Sequence, residues 1–427
     1  MVILLPKTLA HLSPVTHSSV LVARPIVALV LCPVAGILVD KTSWWFGMVI
    51  ASGCYVVSCT LVIIQVSTHH MPLGFASLYL SSRLVEGFAS SLFFPASVGG
   101  LVKTHDDFTR ARAVGLAFLG EAGGLAGPAI GGVLYDYGGS KLAWSVCLIA
   151  SVISVLVVAV LGYCGLPPPT PRPARDEAGR PRGQSVDLPL PASVDQQEES
   201  PPDGDASQAG EGYYLLTYPS FLTILLSLAS GWMGASACTA LLPLLWSKKY
   251  QLSASRMGEL FVPMLVLKAV SGPSAGYLVD RCGVRPLLLI GMMVLWCAGT
   301  LVWLGSTLGA AALPASQVAA LSIYGVPFGA LDTITTAAAG QWMDEQVVVR
   351  GEGKAFAIMG QFFNLGLLFG PAIAASLIQI AHFRYDLAFE TIGALFIPLA
   401  GLVFWCDWSR PIRAHITRRP VYRTKTI

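Results

Sequence analysis

The apolar residues of this chain fall in long blocks, not in the alternation of a half-buried strand or the single stripe of a surface helix. The blocks lie near residues 18–39, 45–67, 73–102, 111–135, 143–163, 218–245, 257–279, 286–306, 316–342, 353–380 and 386–406. Each is long enough for the roughly 17–25 residues that a helix needs to cross a bilayer. The clearest two, Ala143 to Tyr163 and Pro286 to Ser306, hold no charged residue. Hydrocarbon offers the backbone no hydrogen-bond partner, so blocks of this kind read as helices that bond within themselves. The pattern predicts an all-α, multi-pass membrane protein with about eleven transmembrane helices.

Composition agrees. Charged residues make up 12% of the 427 and the hydrophobic set 54%, against about 25% charged in a soluble globular domain. This excludes a disordered chain, a collagen and a disulfide-rich secreted scaffold, and the net charge of +3 argues against a nucleic-acid binder. The nine cysteines are scattered, without a CxxC pair, and read as small hydrophobes; the seven histidines make no metal-ligand pattern. No metal or cofactor is expected, and no nucleophile–base set, phosphate loop or cofactor motif points to an enzyme.

Basic residues alternate along the loops. Eighteen of the 27 fall on one side, six on the other, and Arg24, Arg83 and Lys268 fall inside helices. Cytoplasmic loops collect Lys and Arg, so the richer side, with the central loop and the C-terminal tail, is expected to be cytosolic. Ten of the chain's 28 prolines crowd between 166 and 212, and this segment reads as a flexible linker. The expected organisation is a bundle of five helices over 1–165, the linker over 166–212, a six-helix bundle over 213–407 and a basic tail over 408–427.

The two halves repeat. Gly36-Ile37-Leu38-Val39-Asp40-Lys41 recurs as Gly276-Tyr277-Leu278-Val279-Asp280-Arg281, and Gly127-Pro128-Ala129-Ile130 recurs as Gly370-Pro371-Ala372-Ile373. The offsets, 240 and 243, are nearly equal across about 90 residues, as expected of transporter halves. A carboxylate at a helix end can cap a neighbouring helix and pair with Arg; a simple helix stop is the plainer alternative.

These residues carry a resemblance to the major facilitator superfamily of transporters, which implies two pseudo-symmetric helix bundles with a solute site between them. The Gly-to-Asp motif resembles the family's GxxxD(R/K)xG(R/K). The second copy is full, with Asp280, Arg281, Gly283 and Arg285, whereas the first continues as Thr42-Ser43-Trp44-Trp45. Arg83 and Gly87 are similar to the family's RxxxG, often tied to proton coupling, with Glu86 on the same helix face. An Arg at membrane depth is costly and should face protein or water with a partner, so a buried structural ion pair is the alternative to a coupling role. The run from Gly123 to Gly132, with Gly127 and Pro128, resembles a motif of the family's proton antiporters. Small residues there suit close helix packing, and Pro suits a bend.

From about Val20 onward the chain is similar to the vesicular amine transporter branch. Arg24 stands in place of that branch's intramembrane Lys, and Gly329-Ala330-Leu331-Asp332-Thr333 fits its GxxDS(S/T) helix. The resemblance implies a proton-exchange role for Asp332; pairing of Asp332 with Arg24 or Lys268 is the structural alternative. Two acidic positions of the branch are lost, at Gly360 beside Gln361 and at Thr239, while Lys268 and Glu121 are gained. Lys268, Thr239 and Gln361 are expected at the solute cavity, and Glu121, Glu86, Arg83 and Arg24 around the proton path, unless Lys268 snorkels to an interface.

The family has twelve helices. Residues 1–17, broken by Pro6 and Pro14, are too short to span, so the first family helix is expected to be missing; no secretory or transit signal stands in its place. The function expected is proton-coupled antiport of a small organic solute, cationic and amine-like, by a monomer in a vesicular, vacuolar or plasma membrane. The alternatives are a broad drug–proton efflux pump and, if the chain starts at Met1, a membrane protein that does not transport.

Overall fold

The computed structural model describes residues 14–67, 72–105, 109–125, 127–164, 213–282, 284–309, 314–345, 352–380 and 384–409. Helices α1 (Pro14–Lys41), α2 (Trp44–Ser67), α3 (Pro72–Thr104), α4 (Arg110–Leu125) and α5 (Gly127–Tyr163) form a first group. After a 3-10 turn at Tyr213–Thr217 come α6 (Pro219–Tyr250), α7 (Ala254–Glu259), α8 (Val262–Cys282), α9 (Pro286–Gly309), α10 (Pro314–Glu345), α11 (Glu352–Ile380) and α12 (Tyr385–Trp408). Proline opens α6, α9 and α10, where its missing N–H has no intrahelical partner to lose. Among the described residues, ten helical stretches are long and apolar enough to cross a membrane.

Two expected boundaries are corrected. The block at 111–135 is divided between α4 and the start of α5, and the block at 257–279 between α7 and α8. In the first case the chain also turns back within α5. Gly139 has φ 68° and ψ −169°, a conformation that a side chain opposes, and it breaks the helix into two arms. The first arm ends with Asp136 bonded to Ser255 ahead of α8. The second returns until the Val158 carbonyl accepts a hydrogen bond from Trp45 at the start of α2, 2.8 Å away. The membrane is therefore crossed once by α4 with the first arm and once by the second, which retains the alternation of chain direction expected from the apolar blocks. The expected linker over 166–212 and nearly all of the tail lie outside the described residues, as do residues 1–13.

Within each group helices pack directly: α2 on α3 and α9 on α12 run antiparallel, whereas α8 and α10, separated by α9 in the chain, run parallel. Two seams join the groups, α1 against α11 and α4 against α8. Large side chains such as Phe221, Trp246, Tyr324, Phe328 and Phe389 are buried in one continuous core, while Val30, Val34, Ile149, Leu156 and Leu295 are exposed on the outside of the bundle. Lipid contact rather than water suits such a surface.

Candidate functional site

A fully buried charged pair lies where α6, α8 and α10 meet. Asp332 of α10 has Oδ2 2.8 Å from Nζ of Lys268 on α8, and its Oδ1 accepts a hydrogen bond of 2.8 Å from the Trp232 indole N–H on α6. Both charged side chains are 1% exposed. The ammonium also sits over two rings, 3.8 Å from the centroid of Phe328 and 4.6 Å from that of Trp232. A cation over an aromatic face is attracted by the ring quadrupole, more strongly when both are out of water. Lys268 thus has a carboxylate on one side and π faces on the others.

Of the alternatives open in the sequence, Lys268 and not Arg24 pairs with Asp332, and Lys268 does not snorkel. The cause is close helix packing. A Cβ at Gly325 of α10 would lie 3.2 Å from the Lys268 backbone N, and one at Gly329 would strike the Lys268 carbonyl, so these glycines bring α10 onto the turn that carries the lysine. Trp232 and Phe328, the other walls of the site, were not singled out by sequence reasoning. Trp232 stands 100 residues from the carboxylate it serves, and its indole carries no spacing that announces the partner.

Arg24 belongs to a second cluster, in the first group. Glu86 of α3 meets Arg24 Nη1 of α1 at 3.2 Å and Arg83 Nη1 one helical turn away. Arg83 and Glu86 are buried, and the hydroxyls of Ser58 and Ser82 share a hydrogen bond of 2.9 Å at the neighbouring turn. The predicted proton-path residues are therefore split between two places, Asp332 in one and Arg24, Arg83 and Glu86 in the other. Glu121 lies on α4, and its side chain is outside the described set. Thr239 donates to the Ser236 carbonyl on its own helix. Gln361 of α11 donates across the seam to the Leu29 carbonyl of α1 at 3.1 Å, so it ties the two groups together.

At one end of both seams the repeated motif makes the same contact twice. Asp40, at the end of α1, accepts hydrogen bonds from the backbone N–H groups of Gly353 (2.8 Å) and Lys354 (3.1 Å) at the start of α11. Asp280, at the end of α8, accepts from the Arg112 N–H at the start of α4 (2.8 Å), with the Arg112 Nε 3.5 Å away. Each carboxylate satisfies orphan donors of a helix in the other group and meets the positive end of its dipole. Four residues earlier, Gly36 and Gly276 let the backbones touch: a Cβ on Gly36 would lie 2.8 Å from the Gly353 carbonyl oxygen, and one on Gly276 3.1 Å from Cα of Arg112.

Lys41 and Arg281 are exposed in the last turns of α1 and α8, and Arg285 reaches Asp407 of α12 at 3.7 Å. The Gly-Pro repeats differ from one another. Gly370 and Pro371 lie inside α11, with Gly370 packed against Met233 and Ser236 of α6, whereas Gly127 and Pro128 open α5 and nothing lies near a Cβ built on Gly127. Close packing is realised at the second copy only, because the first sits at a helix start.

Two helix groups, joined along two seams by motif aspartates related through an internal repeat, are the architecture of one transporter family. The sequence matches the Major Facilitator Superfamily over residues 1–267 and 224–419. The chain belongs to the Major Facilitator Superfamily. It is accordingly an integral, multi-pass membrane protein with a secondary-transporter fold, in a superfamily whose members are generally not enzymes.

Solved structures of this superfamily show the same fold. One similar structure is the proton:xylose symporter XylE bound to 6-bromo-6-deoxy-D-glucose, at 13% identity and a TM-score of 0.67, over 95% of this chain and 92% of that one. Another is the human organic anion transporter MFSD10 (TETRAN), at 15% identity and a TM-score of 0.63, over 93% of this chain and 87% of that one. No curated protein matches the sequence. Identities this low carry the fold and leave the solute to be argued from the site.

Proposed function

We propose that this superfamily member exchanges protons for a small organic cation, amine-like in its ammonium, with Asp332 as the exchange centre. The observation that supports the reading is the Lys268–Asp332 pair framed by Trp232 and Phe328. A carboxylate beside π faces is a receptor for an ammonium, and Lys268 occupies it as a tethered cation. An incoming solute ammonium competes for the same place. The displaced Lys268 would be an unpaired charge in a low-dielectric interior, and it escapes that cost by giving its proton to water. One cation enters as one proton leaves, so the charge of the site is unchanged. Glu86, between Arg24 and Arg83, is the second charged cluster of the path and tunes the first by its field.

Alternating access supplies the transport step, with the groups rocking about the central site. The Asp40 and Asp280 contacts close one face, which the alternation of basic loops assigns to the cytosol. A vesicular or vacuolar membrane is the proposed location, with the plasma membrane as the alternative.

Uptake of a panel of primary to quaternary amines into proteoliposomes, driven by an imposed pH gradient, tests the reading. Asp332→Asn should abolish gradient-driven uptake. Retained uptake with the wild-type pH dependence would refute the role of Asp332.

One observation favours a broader drug–proton efflux pump. An apolar groove of about 310 Å³ lies between α8, α9 and α10 and opens to the outside of the bundle, with Leu267, Leu278, Met293 and Trp296 in its wall. Ser271, one helical turn from Lys268, also lines it. Large lipophilic cations should then outcompete small amines in the same panel.

A further inference from the structure

The Gly-x-x-x-Asp unit that latches one face occurs a third time, at the opposite face. Asp136 of α5 accepts a hydrogen bond of 2.9 Å from the backbone N–H of Ser255. Four residues earlier, Gly132 meets the backbone of Ala254: a Cβ there would lie 2.5 Å from the Ala254 carbonyl oxygen and 3.2 Å from Cα of Ser255. The glycine admits a backbone from the other group and the aspartate holds its N–H, as at Gly36–Asp40 and Gly276–Asp280.

The position follows from helix length. Arg112, held by Asp280, and Asp136 are separated by 24 residues. At 1.5 Å per residue that is about 36 Å of rise, enough to cross a hydrocarbon core of about 30 Å. The seam formed by α4 and the first arm of α5 against α7 and α8 is therefore closed at both ends in this conformation. The other seam is different. The offset of 243 that carries Gly127-Pro128 onto Gly370-Pro371 carries Gly132 and Asp136 onto Ala375 and Gln379, which supply neither the missing side chain nor the carboxylate.

We propose that Gly132 and Asp136 form the gate latch of the face opposite Asp40 and Asp280, holding Ala254 and Ser255 until the transporter opens on that side. Rigid groups that rock about a central site cannot separate at this face while the contact stands. Asp136 is exposed, so the bond is of a strength that a conformational cycle can make and break. Asp136 is a positioning residue: it touches no solute and acts through the backbone of Ser255. The proposal rests on the superfamily's alternating access and is independent of the role given to Asp332.

The test reads conformation directly. A reporter cysteine at Thr239, on α6 and 11 residues from its end at Tyr250, is labelled with a membrane-impermeant sulfonated maleimide in sealed vesicles of known orientation. Cys238, next to the reporter and in the same peptide, is replaced by Ala in every variant, and peptide mass spectrometry then separates position 239 from the remaining native cysteines. Asp136→Ala should raise the labelling rate from the Asp136 face about five- to tenfold, equivalent to about 1–1.4 kcal/mol of population shift. Asp280→Ala should not raise it. Ser255→Pro removes the donor N–H at a helix start where proline is tolerated and sets the proline ring against the Asp136 carboxylate, so it should reproduce the effect; it also carries the test if Asp136→Ala does not fold. The double variant should label no faster than either single one, because one contact is lost only once. Unchanged labelling in the single variants, or additive effects in the double one, would overturn the proposal. Because labelling needs no transported solute, a failure of the Asp332 reading leaves this outcome unaffected.

Discussion

Nζ of Lys268 lies 2.8 Å from Oδ2 of Asp332 in a setting where neither charge reaches the surface, so each is tolerated through the other. The pair joins α8 to α10. Losing one member leaves an uncompensated charge in the membrane interior, which is worse than losing both.

Lys268→Met should therefore destabilise the protein by about 3–5 kcal/mol, and the double variant with Asp332→Leu should recover most of that loss. Unfolding of the purified protein in detergent checks this. Equal stability of the single and double variants would mean that the charges are compensated by something other than each other.

Glu86 stands between two guanidinium groups, Arg24 at 3.2 Å and Arg83 on its own helix. Glu86→Gln keeps the shape and removes the only negative charge of that triad. The expected cost is again about 3–5 kcal/mol, by the same argument. Replacing Arg24 should cost less, since its side chain is 32% exposed and water can take over part of its solvation. Denaturant midpoints of the two variants, measured side by side, decide the order.

Gly276 has the Ala111 carbonyl and the Arg112 Cα where a side chain would go. Gly276→Val should hold the Asp40–Asp280 face apart without disturbing the Lys268 site. Transport kcat is expected to fall at least about tenfold while solute affinity stays within about threefold, because closure and binding are separate steps. A rise in KM with unchanged kcat would place Gly276 in binding and not in gating.

Gly139, at φ 68°, turns α5 back across the membrane. Gly139→Ala should cost about 1–3 kcal/mol, since its open surroundings leave backbone strain as the whole penalty. Thermal unfolding of the variant measures this directly. A neutral substitution would show that the turn has a second comfortable conformation.

The Gly-x-x-x-Asp spacing was legible at residues 36–40 and 276–280 because each copy announces the other through the repeat. The same spacing at 132–136 has no such announcement, since its equivalent at 375–379 has lost both residues. Legibility here depended on symmetry, and the one latch without a symmetric counterpart needed the Asp136–Ser255 contact to reveal it.

Membrane-spanning helices, their approximate limits and the internal repeat follow from the sequence alone, because hydrocarbon forces each apolar block to bond within itself and makes any charge inside it conspicuous. Arg24, Arg83, Glu86, Lys268 and Asp332 are conspicuous in this way. Which of them pair is a different matter. Arg24 to Glu86, Lys268 to Asp332 and Trp232 behind that carboxylate depend on how helices distant in sequence rotate and approach. Helix rotation is set by the summed packing of many small contacts, such as Gly325 and Gly329 against the Lys268 turn, and no local spacing encodes that sum. Only the tertiary structure decided which charge meets which.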